Sequence, residues 1–574
     1  MSESGDVISR IYSSFRGVDF RGEEINLVRS PDSLNVWKDY KETDSIRTRP
    51  TLIKCENYIG ELEGHIHGIW FYKDGWIIHH GSTLTRYTNL DLNGVLLKIL
   101  LENVSETCSN AFVCEDKFYF KDGVNYWVYD DDGMLIPNIK PVEGYIPTTT
   151  IGRKPLGGGE KKEDVNMLSD YRKNSFLADG VNFQFYLDVK NIDSDYVPVV
   201  EVDDKVVDKS KYTVDYAEGI IDFKEVPPDV PLTDGRDNVL VTFKKAVPKY
   251  RECIMKTTML QAFDNRVFFS GNPDQPHVVW HSSLNDPSYI SDLDYYKEGM
   301  DSAAVKGLVA GNNALWVFRE PSDSDTTMFY HTPSLDEDYG KIYPSSHSSI
   351  ATGCIGKAIN FNDDIVFFSE RGMEGISGDI TTEQVVAHRS TLVDRKLTAE
   401  PNYKNMILEE WEGYLLVFID NKVYLADSRA MFQNENHFEY EWFYWELDRK
   451  VTCTKVHDGV LYVGTENGIY KFANVGNVES YWVTPKDKFN NPHKLKTTNK
   501  RGCVVEAMGD VSVYVKTEKT DFELVGTHED VQDYFTCRIK RKKWKDIQLK
   551  FHSTTRFSLE TATLEAFVGG YIKR

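Results

Sequence analysis

The chain has 574 residues, 41% hydrophobic and 13% aromatic, with a formal charge of −22 and a mean hydropathy of −0.44. So strong an acidic excess excludes a protein that grips nucleic acid over a broad face, because such a face must displace counterions from phosphates. It leaves open a protein that DNA slides past, since a negative wall repels phosphates.

The first 60 residues are polar and irregular and read as an N-terminal arm and docking segment. Within them Pro31, Asp32 and Ser33 form a turn, and Leu34 to Trp37 a short edge strand. From residue 61 a unit begins to recur: an apolar strand, a tight Asp/Asn/Gly turn, a second apolar strand. It reads IWFYKDGWIIHH, AFVCEDKFYF, LQAFDNRVFFSG, LVAGNNALWVF, INFNDDIVFFS, LEEWEGYLLVF and TKVHDGVLYVG. Successive turns, counted from Gly75, lie 41, 149, 47, 51, 50 and 46 residues apart. A repeat of roughly 40–50 residues is the spacing of β-propeller blades. The long gap exceeds its neighbours by about 100 residues, the size of one inserted domain.

The expected fold class is therefore all-β: a β-propeller with an inserted small β-sandwich domain and a C-terminal β segment. Residues 61–140 hold the first part of the propeller and 251–475 the remainder. The sandwich occupies 141–250, opening on a connector rich in Pro, Gly and mixed charge over residues 141–165. Residues 476–574 read either as a separate β domain or as strands that close the ring. GVLLKILLENV is helix or strand by periodicity, and STLVDRKLTAEPNYKNMILEE is the best helix candidate.

Several constellations mimic chemistry without completing it. The triple glycine Gly157 to Gly159 lacks the Gly-Lys-Ser/Thr and helix start of a phosphate loop, and reads as a flexible hinge. Asn89, Asp91, Asn93 and Gly94 start like a calcium loop, but the twelfth position is Leu100 rather than Glu. Asp130 to Asp132 before Gly133 read as a hairpin tip. His65 and His67, with His79 and His80 on the next strand, could chelate a metal only with a further ligand. Glu409, Glu410 and Glu412, and Glu439, Glu441 and Glu446, are carboxylate sets of the kind glycosidases use in pairs. Alternation puts Glu439 and Glu441 on one face of an ordinary half-exposed strand. SLDEDYG, with Asp336, is a near miss to a sialidase turn, its Gly340 two residues late. No catalytic, cofactor-binding or metal-ligating residue is expected, no cofactor, and no enzyme. Basic residues cluster at Lys494 to Arg501 and at Arg538 to Lys545, suited to an acidic partner surface, to passing DNA, or simply to solvent.

Eight scattered cysteines without a CxxC pair suit reduced, buried thiols. No basic and apolar leader opens the sequence, and no stretch is long and apolar enough for a membrane span, so no membrane insertion is expected.

The stretch SFRGVDF, INLVRSPDSLNVWKDY and RTRP resembles the opening of a class of bacteriophage virion proteins with a Pro-x-x-Leu-Asn-Val and an Arg-x-Arg-Pro segment. SGNPDQPHVVWHSSLNDPSYISD (Ser270 to Asp292) and WVTPKDKFNNPHKLK (Trp482 to Lys496) are similar to the same group. It includes the propeller-built tail nozzle, tail tubular and hub proteins of short-tailed phages. The resemblance implies a structural protein of the virion tail, and the reduced thiols suit assembly in the host cytoplasm. It also implies a homo-oligomeric ring, often a hexamer, around the DNA exit channel, used in DNA ejection. Contacts with the adaptor and portal complex and with tail fibre or tip proteins would follow. The alternative is a propeller that binds or cleaves carbohydrate.

Overall fold

The computed structural model describes residues 7–571 except for 23–24, 41–44, 56–61, 63, 91–94, 108, 134–135, 234, 337–339, 349–351, 378–384, 435–436 and 541–542. The fold is all-β, and the chain separates into two compact units, residues 1–99 with 350–574 and residues 100–349.

Among the described residues, seven four-stranded antiparallel sheets carry the repeat; strands follow chain order except in the fourth, whose last strand comes after a separate hairpin, and the seventh, whose last strand comes from elsewhere in the chain. Every hairpin found in the sequence supplies the first two strands of one sheet. Six of the connecting turns have both central residues at positive φ: Glu115-Asp116, Asp264-Asn265, Asn312-Asn313, Asn362-Asp363, Glu412-Gly413 and Asp458-Gly459. That backbone matches the right-handed twist of the flanking strands, and Asn, Asp and Gly adopt it at least cost. The first turn falls on Lys73 and Asp74, one residue earlier than the Asp-Gly pair indicates. The second strands are buried on both faces, Ala314–Arg319 and Tyr414–Ile419 along their whole length. That explains why the sequence runs apolar there instead of alternating.

In the unit of residues 100–349, the second to fourth sheets begin at Asn110–Cys114, Met259–Phe263 and Val305–Gly311. Between the second and third lies the insert. A six-stranded sheet faces a three-stranded one across a core that includes Phe176, Phe185, Val200, Ile221 and Phe243. The expected connector is partly strand: Thr148–Arg153 pairs in parallel with Tyr171–Phe176. The chain returns through a short helix, Tyr250–Met255, that periodicity does not reveal.

In the other unit, the first, fifth, sixth and seventh sheets begin at Ile66–Tyr72, Ala358–Phe361, Ile407–Trp411 and Cys453–His457. GVLLKILLENV resolves as strand Leu96–Glu102, the fourth of the first sheet. The candidate helix is only Asp394–Leu397 followed by a 3-10 turn at Tyr403–Asn405. The strand completing the seventh sheet comes from the N-terminal segment: Thr51–Lys54 pairs with Gly468–Ala473.

The C-terminal strands build a ten-stranded sheet with the N-terminal segment. Val7–Tyr12 pairs along Phe557–Tyr571, and Lys494–Thr517 runs through the middle. The path begins at Ser33–Leu34 and ends at Val36–Lys38. A single residue, Asn35, separates its two ends, so the sheet curls into a nearly closed barrel.

Asn35 makes that corner. Its φ is 57°, in the left-handed region that Asn tolerates. Its Oδ1 accepts from Arg49 Nε (2.8 Å) and from the Glu446 amide (2.9 Å), while its Nδ2 donates to the Glu479 carbonyl (2.9 Å). Buried Arg49 donates further to the Pro50 and Glu446 carbonyls, both at 2.8 Å. Burial lowers the pKa of this guanidinium to about 10. Trp445 and Trp37 cross at 5.6 Å beside the knot, and Trp445 Nε1 donates to the Val36 carbonyl.

Candidate functional site

The barrel brings the two basic clusters of the sequence together. Lys494 to Arg501 lies in the long strand Lys494–Thr517, and Arg538 to Lys545 is the connection between strands Tyr534–Cys537 and Ile547–Ser553. The described residues of the second cluster lie outside the strands. Its own charges repel one another, and Trp544 pins it by a single bridge to Lys496: amide to carbonyl at 2.8 and 3.0 Å in the two directions. The buried Trp544 ring donates Nε1–H to Thr498 Oγ1 (3.2 Å) and meets Phe489 edge-on.

Lys496 is buried under this loop. Its ammonium donates to the Lys545 carbonyl at 2.8 Å, and burial lowers its pKa. At the other end Cys503 pairs with Cys537 across the ladder. Gly502, at φ 78°, lies so close that a Cβ there would stand 1.8 Å from the Cys537 carbonyl oxygen and 2.9 Å from the Arg538 Cα. Only glycine admits this approach, which sets Arg501 beside Arg538.

Lys500, Arg501, Arg538, Lys540, Lys543 and Lys545 are exposed, and none is ion-paired with a described carboxylate. Arg541 and Lys542 lie outside the described residues. Beside the patch a cleft of about 130 Å³ is lined by Thr517, Glu523, Leu524, Arg538, Lys540 and Trp544. Residues 481–574 hold 18 Lys and Arg against 12 Asp and Glu, a formal +6. Residues 1–480 hold 49 against 77, a formal −28. Counting charge by segment is the signal that exposes this asymmetry in the bare sequence.

The other sequence candidates fall elsewhere. Glu439 and Glu441 are fully buried, not half-exposed, because both faces of strand His437–Glu446 are covered. Arg29 binds Glu441 through two bonds of 2.8 Å. Glu439 accepts from the Thr391 amide (3.0 Å), the Thr391 hydroxyl (2.9 Å) and the Asn434 side chain. Glu446 is exposed and accepts from the Tyr444 hydroxyl. Glu409 and Glu410 point to opposite faces of their strand, each pushed up in pKa by burial, and Glu412 sits in the turn.

His65, His67 and His79 lie in a row with ring centroids 4.8 Å apart and rings tilted by 36°, while His80 meets Thr83. Among the described residues no group of three His, Cys, Asp or Glu could hold a metal ion. The calcium-like residues Asp91, Asn93 and Gly94 lie outside the described residues, and Asn89 stands just before them. Asp130 ends the third strand of its sheet, and Asp131 accepts from the Gly133 amide as in a turn. Ser334–Asp336 and Gly340–Ile342 form a small two-stranded hairpin. Gly157 to Gly159 are not a hinge. With φ of 117°, 82° and 89° they make a tight hairpin end, and Arg153 Nη1 clamps the Gly158 carbonyl at 2.7 Å.

Seven cysteines are described, none bridged to another described cysteine and most of them buried; Cys108 lies outside the described residues. No helix among the described residues is long and apolar enough to cross a membrane.

These sheets define an all-β protein of the propeller class, with an inserted sandwich and a C-terminal β region. No family model and no curated protein matches the chain. Among solved structures it is similar to BamB from Moraxella catarrhalis, at 10% identity over 77% of this chain and 95% of that one, with a TM-score of 0.33. It is also similar to the computationally designed Ika8 protein, at 11% identity over 74% and 99% of the two chains, TM-score 0.32. The WD40 domain of Neurospora crassa Pan2 matches at 9% identity over 75% and 96%, TM-score 0.27. Likenesses this distant carry no argument, and the propeller assignment rests on strand order and turn geometry.

Proposed function

We propose that the chain is a structural building block of a bacteriophage tail, a nozzle or hub without catalytic activity. In this reading it assembles as a ring, of six copies by resemblance, around the DNA exit channel, with the adaptor and portal on one side and fibres or tip proteins around it. The observation that carries the reading is the place of the resembling motif. Leu34, Asn35 and Val36, with Arg47 to Pro50, tie the two ends of the C-terminal sheet to each other and to the sixth sheet. Segments that carry the resemblance are thus built into the architecture itself.

Two further features favour a passive role. The candidate acids Glu439 and Glu441 are consumed by Arg29, Thr391 and Asn434 inside the protein. The acidic body suits a wall that DNA passes without sticking.

Mass photometry of the purified chain, alone and with the portal–adaptor complex of its phage, tests the proposal. A closed ring, or a monomer that becomes a ring on the complex, is the expected result. A stable monomer that cleaves or binds host polysaccharide would overturn it.

A further inference from the structure

We infer that the basic patch of the C-terminal sheet docks onto the acidic edge of the inserted sandwich of a neighbouring copy. The inference rests on the ring-forming reading above and names the contact that makes the ring. Six exposed cations without ion pairs to described carboxylates are a local surplus that a partner surface must neutralise or solvent must carry. The chain itself, with −28 over residues 1–480, offers an acidic surface of complementary charge.

Within that surface the edge of the insert fits the requirements of an interface. Asp203 and Asp204 form a hairpin tip with φ of 47° and 61°, which pushes both carboxylates outward. They border a cleft of about 320 Å³ together with Glu201, Asp237, Pro231 and Leu232. Arg236, the cation in this lining, is already paired with Asp204 at 3.5 Å. Leu232 is 94% exposed and neighbouring Val230 is 60% exposed, an apolar centre inside an acidic rim. The basic patch has matching apolar company in Leu524 and in Tyr534, 66% exposed. Stable interfaces combine such an apolar centre with a polar rim.

The two surfaces are different, so the contact is head-to-tail, the kind that builds a ring when its rotation closes. DNA is the less favoured occupant. A duplex approaching the patch meets the field of an acidic body, and phosphates offer nothing to the apolar Leu524 beside it.

The test uses the full chain in two charge-reversed forms. The first carries Arg501→Glu, Arg538→Glu and Lys540→Glu; the second carries Asp203→Lys and Asp204→Lys. All these side chains are exposed, and circular dichroism and melting temperature matching the wild type confirm that each form is folded. Self-association is read by sedimentation velocity and mass photometry, on the portal–adaptor complex if the free chain is monomeric. Wild type should associate at least tenfold more weakly as salt rises from ~0.05 to ~0.5 M, because screening shortens the reach of the paired charges. Each reversed form alone should fail to associate, and an equimolar mixture should associate again, since each then offers the other a complementary face. Reversed forms that assemble like wild type would overturn the inference while leaving the tail reading intact. So would loss of binding to a short DNA duplex by the first form with assembly unchanged, which would make the patch a DNA site. A wild-type chain monomeric at every salt, even on the complex, would overturn both.

Discussion

Replacing Asn35 tests the barrel corner most sharply. In Asn35→Ala, the Arg49 Nε–H and the Glu446 amide lose their common acceptor, and the Glu479 carbonyl loses a donor. Each buried group left unpaired costs about 1–3 kcal/mol. Alanine at a φ of 57° adds roughly 1 kcal/mol of backbone strain. Together the two buried donors and the strain come to about 3–7 kcal/mol. Asn35→Gly keeps the hydrogen-bond loss and removes most of the strain, so it should cost about 1 kcal/mol less. At roughly 2 °C per kcal/mol for a unit this large, the alanine variant should melt about 6–14 °C lower in calorimetry. Hydrogen exchange should speed up first in Val36–Lys38 and in Ser480–Val483, the strands the corner holds in place. A loss below about 1 kcal/mol in both variants, or equal exchange across the chain, would refute the claim that one residue closes the barrel.

Arg29→Ala should cost about 3–5 kcal/mol, because it leaves the fully buried Glu441 with only the half-exposed Arg16 at 3.9 Å for an ion pair, and Arg29→Met with Glu441→Gln should recover most of that in a double-mutant cycle by urea unfolding. Gly502→Ala should destabilise by more than about 2 kcal/mol, since its Cβ would collide with the Cys537 carbonyl, whereas Gly133→Ala, which meets nothing within 4 Å, should cost only about 1 kcal/mol of φ strain; paired melting curves separate the two. Burial opposes protonation of His388, but hydrogen bonds to Asp394 and Glu374 outweigh it and raise its pKa to about 10. Its contribution is therefore complete below about pH 6.5 and is lost as pH rises toward 10, so His388→Gln should flatten a stability decline of up to ~1.4 kcal/mol per pH unit across that window. Burial instead depresses His281 to about 4, so its contribution is present above about pH 6.5 and fades as pH falls toward 4; His281→Phe should blunt acid unfolding over that range.

The propeller repeat was legible because its determinants are local. Six turns demand positive φ at two successive residues, and Asn, Asp and Gly at those positions announce it. The same turn also set Glu412 and Glu115 in the left-handed region, where composition alone gives no warning. What stayed hidden depends on contacts between residues far apart in sequence. Thr51–Lys54 completes a sheet more than 400 residues later, and nothing within its four residues encodes that pairing. Glu439 and Glu441 looked solvent-facing because alternation describes one strand and not the segments that cover it; Arg29 supplies the missing cover from the other end of the chain. The basic patch was half legible: each cluster is visible, but their union depends on the Trp544–Lys496 bridge and on the close approach at Gly502.

The central claim, a passive propeller subunit of a phage tail, meets its most direct test in cryo-electron microscopy of intact virions. The account predicts density at the tail, surrounding the DNA channel, into which seven four-stranded sheets, the inserted sandwich and the curled ten-stranded sheet fit in every subunit of a closed ring. Absence of the chain from the particle, or its presence only in lateral spikes that engage glycans, would contradict it.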